Sequence, residues 1–238
     1  TLKPVNIIST NKSWNPIFSN HFSTKADTSK TTNISKQTMD VSYPFDTPIA
    51  TQRYYQLKEE AQSLLDRFDF AAAEHPLLGS LQTAHKIILQ SPTTEGVEKM
   101  KKEKANTHLR LALVYCQLSK IDAAFQNIQD GIELAQSLYT PDSVELVQYY
   151  LQYGEVCAVG CKNLQTGIEY AKRAVAILEK APLTNPVYLA STFSNLAGLY
   201  ATAKMWKDAK ETSRKSLDMF VQHLGVHHPF SEKCYQNH

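Results

Sequence analysis

The chain has 238 residues, 42% hydrophobic and 20% charged, enough for one sizeable core or two small ones and too apolar for a wholly disordered chain. Its 25 Lys+Arg and 23 Asp+Glu leave a formal charge of +2, too weak a field to make nucleic acid or an anionic membrane the main partner. Glycine is scarce, with 8 residues, which argues against turn-rich β folds and glycine-looped nucleotide folds, and helix becomes the first expectation.

Residues 1–46 form an amino-terminal arm. The arm holds 19 Ser, Thr or Asn residues, five lysines, and no glycine, glutamate or arginine. Such a stretch buries too little apolar surface to offset its chain entropy. Its aromatics Trp14, Phe18, Phe22, Tyr43 and Phe45 follow neither a helical nor a strand period, so they read as anchors of an extended arm on partner surfaces. Ser/Thr-rich, acid-poor amino termini are also typical of organelle transit peptides, and Asn20-His21-Phe22-Ser23-Thr24 resembles the aromatic-Ser segment near mitochondrial presequence cleavage sites. The departure from that pattern is the lack of arginine before Arg53. Thr1 fits removal of an initiator methionine and cleavage of an upstream presequence equally. Mitochondrial residence is the expectation, a cytoplasmic protein with a polar tail the alternative.

Residues 47–103 contain two helical segments, Thr51 to Phe70 and Leu77 to Gln90, then a charged helix start around Lys99 to Lys104. Their spacing does not align with that of the residues after 104, so they read as a helical cap or a degenerate repeat.

From residue 104 to 238 the chain repeats itself. Leu111-Ala112-Leu113-Val114-Tyr115 returns as Leu196-Ala197-Gly198-Leu199-Tyr200. With Ala112 and Ala197 in register, Ala124 meets Ala209 and Gly131 meets Ser216, and a middle copy fits with Glu155, Gly167 and Ala174. All three columns keep successive offsets of 43 and 42 residues. Small residues at fixed spacing let antiparallel helices cross closely, and a large one such as Tyr115 or Tyr200 fills the gap to the next pair. The second helices carry helical apolar stripes, among them Ile121, Phe125, Ile128 and Ile132, then Ile168, Ala171, Val175 and Leu178. Proline links at Pro141, Pro182, Pro186 and Pro229 separate the pairs. Three repeats result, at about 105–138, 148–181 and 190–223, and the residues after His228-Pro229 read as a fraying tail.

These columns resemble the tetratricopeptide repeat, which places small residues at its eighth, twentieth and twenty-seventh positions and an aromatic at its eleventh. The longer period and the endings Leu138 to Asp142 and Leu224 to Pro229 are similar to the variety found in kinesin light chains. In the middle copy Glu155 takes the small eighth place and Ala158 the aromatic one. The resemblance implies an all-α, right-handed α-solenoid of antiparallel helix pairs whose first helices line a concave face. That face would comprise Asn106, Leu109, Arg110 and Leu113 in the first copy, Tyr149, Gln152 and Val156 in the second, and Ser191 and Ser194 in the third. The lining is uncharged apart from Arg110. Chaperone-binding members clamp a terminal carboxylate with lysine and asparagine where Leu109 and Leu113 stand, so no such clamp is expected. An apolar helix or extended segment of another protein is the expected occupant, with this chain's own arm as the alternative.

Catalysis finds little support. There is no GxxxxGK[ST], GxGxxG or HExxH pattern. Cys157 and Cys161 would share a helix face and suit a soft metal, but the spacing lacks two further ligands, so buried small hydrophobes are the better reading. His223, His227, His228, Cys234 and His238 cluster by sequence near the carboxyl end, where the repeat already explains His228-Pro229. That His-Pro turn is also similar to one in SET-and-MYND lysine methyltransferases, whose catalytic core has no counterpart here. No cofactor and no metal are expected. No apolar run reaches the roughly 18 residues that span a bilayer, so contact with a membrane complex would run through protein. The expected function is a non-catalytic scaffold: an accessory subunit or assembly factor of a multi-subunit mitochondrial complex, such as a respiratory-chain assembly, with other protein subunits as partners. The alternatives are a cytosolic cargo or signalling adaptor and, ranked below it, a metal- or thiol-dependent enzyme or a methyltransferase accessory part.

Overall fold

A computed structural model of the chain describes residues 48–91, 93–182 and 184–236. The chain divides into two compact units, Thr1–Ser42 and Tyr43–His238, and every described residue lies in the second. Among the described residues there is no strand, and the helices run in chain order as α1 (Pro48–Asp66), α2 (Phe70–Gln90), α3 (Thr94–Gln117), α4 (Ile121–Gln136), α5 (Val147–Gly160), α6 (Leu164–Lys180), α7 (Pro186–Thr202), α8 (Trp206–Leu224) and α9 (Pro229–Gln236). A short 3₁₀ turn, Val144–Leu146, leads into α5. The helices pack as antiparallel pairs, α1 with α2, α3 with α4, α5 with α6 and α7 with α8. Each pair stacks on the next, and the first helices α3, α5 and α7 also touch one another. This second unit is an all-α solenoid of helix pairs.

Every pair turns in the same way. The first helix ends in a left-handed residue: Phe68 (φ 60°), Ser119 (58°), Cys161 (49°) and Lys204 (60°). The next amide reaches back five residues to a helix carbonyl: Asp69 N–H to Leu64 O at 2.9 Å, Lys120 to Tyr115 at 2.8 Å, Lys162 to Cys157 at 3.2 Å and Met205 to Tyr200 at 2.8 Å. This is the Schellman closure, which satisfies carbonyls that the helix end leaves open. None of the four left-handed residues is glycine, so the usual sequence signal for such an end is missing.

The closure gives a register that does not depend on residue type, and it changes two readings. First, α1 and α2 are a pair of the same kind as the later ones. Counting from the shared turn puts Ala61, Ala73 and Ser80 where the third pair has Gly154, Gly167 and Ala174, and all three are buried. The spacing hides this, because Ala61 precedes Ala112 by 51 residues and the surplus lies in a long α2 and the first turns of α3. Helix α2 also begins earlier than Leu77 and runs through Pro76, its first turn held by Asp69 Oδ1, which accepts from Ala72 N–H at 3.1 Å.

Second, the small residue of α5 at the crossing is Gly154, not Glu155, and the place of Tyr115 and Tyr200 is taken by Cys157, not Ala158. The physical reason is one extra residue in the α5–α6 turn. From the carbonyl that closes the helix to the cap of the next helix there are five residues in the other pairs (Tyr115 to Lys120, Tyr200 to Met205) and six from Cys157 to Asn163. Asn163 takes a second left-handed conformation there (φ 52°). At the crossing, a Cβ added to Gly167 would lie 3.5 Å from Gly154 Cα and 2.9 Å from Cys157 Cβ, so the two helices approach backbone to backbone. Leu199 of α7 then fills the space over Gly154.

The carboxyl end is ordered by packing instead of fraying. Helix α9 starts at Pro229, with His228 Nδ1 accepting from Phe230 N–H at 3.2 Å. Cys234, 4% exposed, and Phe230 close over Phe220 and Ala190. Without α9 the apolar face of α8 would be open to water, so it caps the stack.

Candidate protein-binding groove

Helices α3, α5 and α7 lie side by side and present matching stripes at i, i+4, i+7 and i+11. The stripes are Asn106, Arg110, Leu113 and Gln117 on α3; Gln148, Gln152, Glu155 and Val159 on α5; and Ser191, Asn195, Gly198 and Thr202 on α7. Asn106 is half-buried at one end, where its Oδ1 accepts from the Tyr149 hydroxyl at 2.7 Å. Val159 is exposed at the other end, 43% accessible. The middle row is Leu113, Glu155 and Gly198, all half-buried.

Residues expected to line the groove divide into two sets. Asn106, Arg110 and Leu113 are half-buried on the stripe of α3; Ser194 is half-buried too but stands beside the α7 stripe, in the register place of Leu109. Leu109, Tyr149, Gln152, Val156 and Ser191 are buried. Tyr149 (1% exposed) and Val156 belong to the face of α5 that packs on neighbouring helices, because the extra turn residue shifts the stripe of α5 by one. Gln152 stays on the stripe but is 4% exposed, and its amide is committed to Glu155. Ser191 donates to Val187 O of its own helix at 2.9 Å. The arm anchors Trp14, Phe18, Phe22, Tyr43 and Phe45 lie outside the described residues.

Glu155 is the residue that sequence reasoning put in the wrong place. It stands in the groove, so the lining is not uncharged apart from Arg110. Burial pushes its carboxyl from the ordinary 4.5 up to about 7, opposed only by the hydrogen bond from Gln152 Nε2 to Oε2 at 3.1 Å. No lysine or arginine acts on it among the described residues. Arg110 is held from the other side: burial lowers its pKa, opposed by Tyr54, Glu103 and Asp66. Cys116 borders the site from α3, its thiol pushed up to about 12 by burial and then by Glu155. A carboxylate in a column otherwise built of small residues was the available signal, since a packed crossing has no room for it.

The thiols do not converge on chemistry. Cys157 is buried beside Gly167, and burial pushes its thiol up to about 12 as well, the opposite of an activated nucleophile. Cys161 is the exposed, left-handed cap after α5 and not a second buried hydrophobe on the face of Cys157, because the helix has already ended at Gly160. Among the described residues no three His, Cys, Asp or Glu side chains are placed to hold a metal ion. Near the carboxyl end His223 and His227 are exposed, while Cys234 points inward to Ser213 O and Ser216 Oγ, both at 3.7 Å.

Residues 189–230, which span α7, α8 and the start of α9, match the family model of the tetratricopeptide repeat. A repeat of this family points to a protein-binding scaffold, with proteins as its partners. Among solved structures, BtubC (BKLC) from P. vanneervenii aligns over 76% of this chain and 91% of its own, at 16% identity and a TM-score of 0.48. No curated protein matches the sequence.

Proposed function

We propose that the chain is a non-catalytic interaction scaffold, an accessory subunit or assembly factor of a multi-subunit mitochondrial complex. The observation that carries the scaffold reading is the groove: three neighbouring helices present rows of mainly amide, aliphatic and small side chains, with Arg110 and Glu155 as the charged members. Such a surface binds by shape and a few polar contacts. The mitochondrial part of the reading is supported by the composition of residues 1–46, rich in Ser and Thr and poor in acid. Attachment to a membrane complex would run through protein contacts, since no helix among the described residues is long and apolar enough to cross a membrane. Native size analysis of cell extract, together with imaging of the tagged full gene product, tests both parts. Migration in a large complex and overlap with a mitochondrial marker are expected. Migration only as a free monomer would overturn the subunit reading, and exclusion from mitochondria would overturn the location.

A further inference from the structure

Glu155 sits in the middle row of the groove, between Leu113 on one side and Gly198 on the other. Its own chain supplies one amide hydrogen bond, from Gln152, and no positive charge among the described residues. A carboxylate withdrawn from water without a cation is costly, and proteins normally pair such a group. From α3 come Leu113 and Cys116, the latter a neutral thiol, and one turn away Arg110, which interacts with Glu103 and Asp66 and does not act on Glu155; the α7 stripe carries no charged side chain. A metal cation would find no set of three ligands among the described residues. An anion would be repelled. Beside the acid, Gly198 has no side chain and Ala158 only a methyl, which leaves an apolar track for an aliphatic stem leading to a charged tip.

We propose that the groove receives an apolar segment of a partner protein carrying one lysine or arginine, whose cationic head pairs with the Glu155 carboxylate while its stem lies along Leu113 and Gly198. The inference rests on the reading of the chain as an interaction scaffold and adds the chemistry its groove selects. The pair would complete the half that the chain leaves open and fix the register of the bound segment, as buried charge pairs at interfaces do.

The test is selection of short displayed peptides on the full chain at pH 8, with Leu113→Trp, which fills the groove, as the counter-target. Peptides that depend on the groove should carry one basic residue among apolar ones. Glu155→Gln should weaken them about tenfold or more, in line with hydrogen bonds to charged groups. Replacing the peptide's lysine by norleucine should cost the same on the native chain and nothing further on Glu155→Gln, a cycle that needs no second change in the protein. Groove-dependent peptides without a basic residue, or ones indifferent to Glu155→Gln, would overturn the cation proposal and leave the scaffold reading standing. A lack of any groove-dependent peptide would overturn both. Groove-dependent self-association of the chain, lost in Leu113→Trp, would assign the groove to a second copy and overturn the partner proposed here.

Discussion

Removing the charge at position 155 should make the protein more stable, and only above a defined pH. In the folded chain the Glu155 carboxyl is raised from 4.5 to about 7, so it binds its proton more tightly folded than unfolded. Its contribution to stability is therefore fully present below about pH 4.5. As pH rises the unfolded chain releases the proton first, and the contribution is lost progressively until about pH 7. At about 1.4 kcal/mol per pH unit, that interval corresponds to about 3 kcal/mol above pH 7. Glu155→Gln mimics the protonated acid, and its carbonyl can still accept from Gln152. Denaturant unfolding followed by circular dichroism at pH 4 and pH 8 reads the effect. The variant should match the native chain at pH 4 and exceed it by about 3 kcal/mol at pH 8, equivalent to roughly 6–12 °C in Tm for a chain of this size. A gain of equal size at both pH values, or a loss at pH 8, would refute the argument that the half-buried carboxylate is held without a counter-charge. The same experiment connects stability with binding, because a cost of this kind at a surface groove is characteristic of sites shaped for a ligand.

Gly167→Ala sets a gain in helix propensity of about 1 kcal/mol against a Cβ placed 2.9 Å from Cys157 Cβ and 3.5 Å from Gly154 Cα, atoms that cannot swing aside. Net destabilisation of about 1–2 kcal/mol is expected in urea unfolding, and a stabilised variant would contradict the backbone crossing. Lys204→Gly and Cys161→Gly relieve left-handed positions occupied by residues with a Cβ, and each should gain about 0.5–1 kcal/mol in the same assay; a loss at both would contradict the Schellman turns. Ending the chain before Pro229 uncovers Phe220 and Ala190 and should cost about 2 kcal/mol or more with greater exposure of the last pair to hydrogen exchange. Unchanged protection of α8 would remove α9 as a cap.

The repeats were legible where the second helices carry them. Ala124, Gly167 and Ala209, and after them Gly131, Ala174 and Ser216, keep their columns in the folded chain because those crossings tolerate only small side chains. The first helix of the middle pair was misread by one residue, since the turn that shifts it is set by backbone conformation at Cys161 and Asn163, which no glycine announces. The first pair was hidden by the 51-residue spacing, although Ala61, Ala73 and Ser80 obey the same rule. Helix α9 was hidden by its brevity, with Phe230 and Cys234 its main inward-facing groups. Glu155 became visible as a groove residue only once the turn was in place.

The extra residue at Asn163 has a consequence for how such a stack can diversify. Gly154 follows Ala112 by 42 residues and precedes Ala197 by 43, whereas Gly167 follows Ala124 by 43 and precedes Ala209 by 42. The step from a second helix to the next first helix is 23 residues on both sides, from Gly131 to Gly154 and from Ala174 to Ala197, so nothing offsets the insertion: it is absorbed in the turn, and the helices downstream keep their phase. Side chains step about 100° around a helix per residue, so a residue inserted within α5 would swing its whole exposed row, whereas one taken up in the turn leaves that row in the register of α3 and α7. A repeat array can in this way change length between pairs without disturbing its groove, and the acid is set by the residue at one position, where the neighbouring pairs have Leu113 and Gly198.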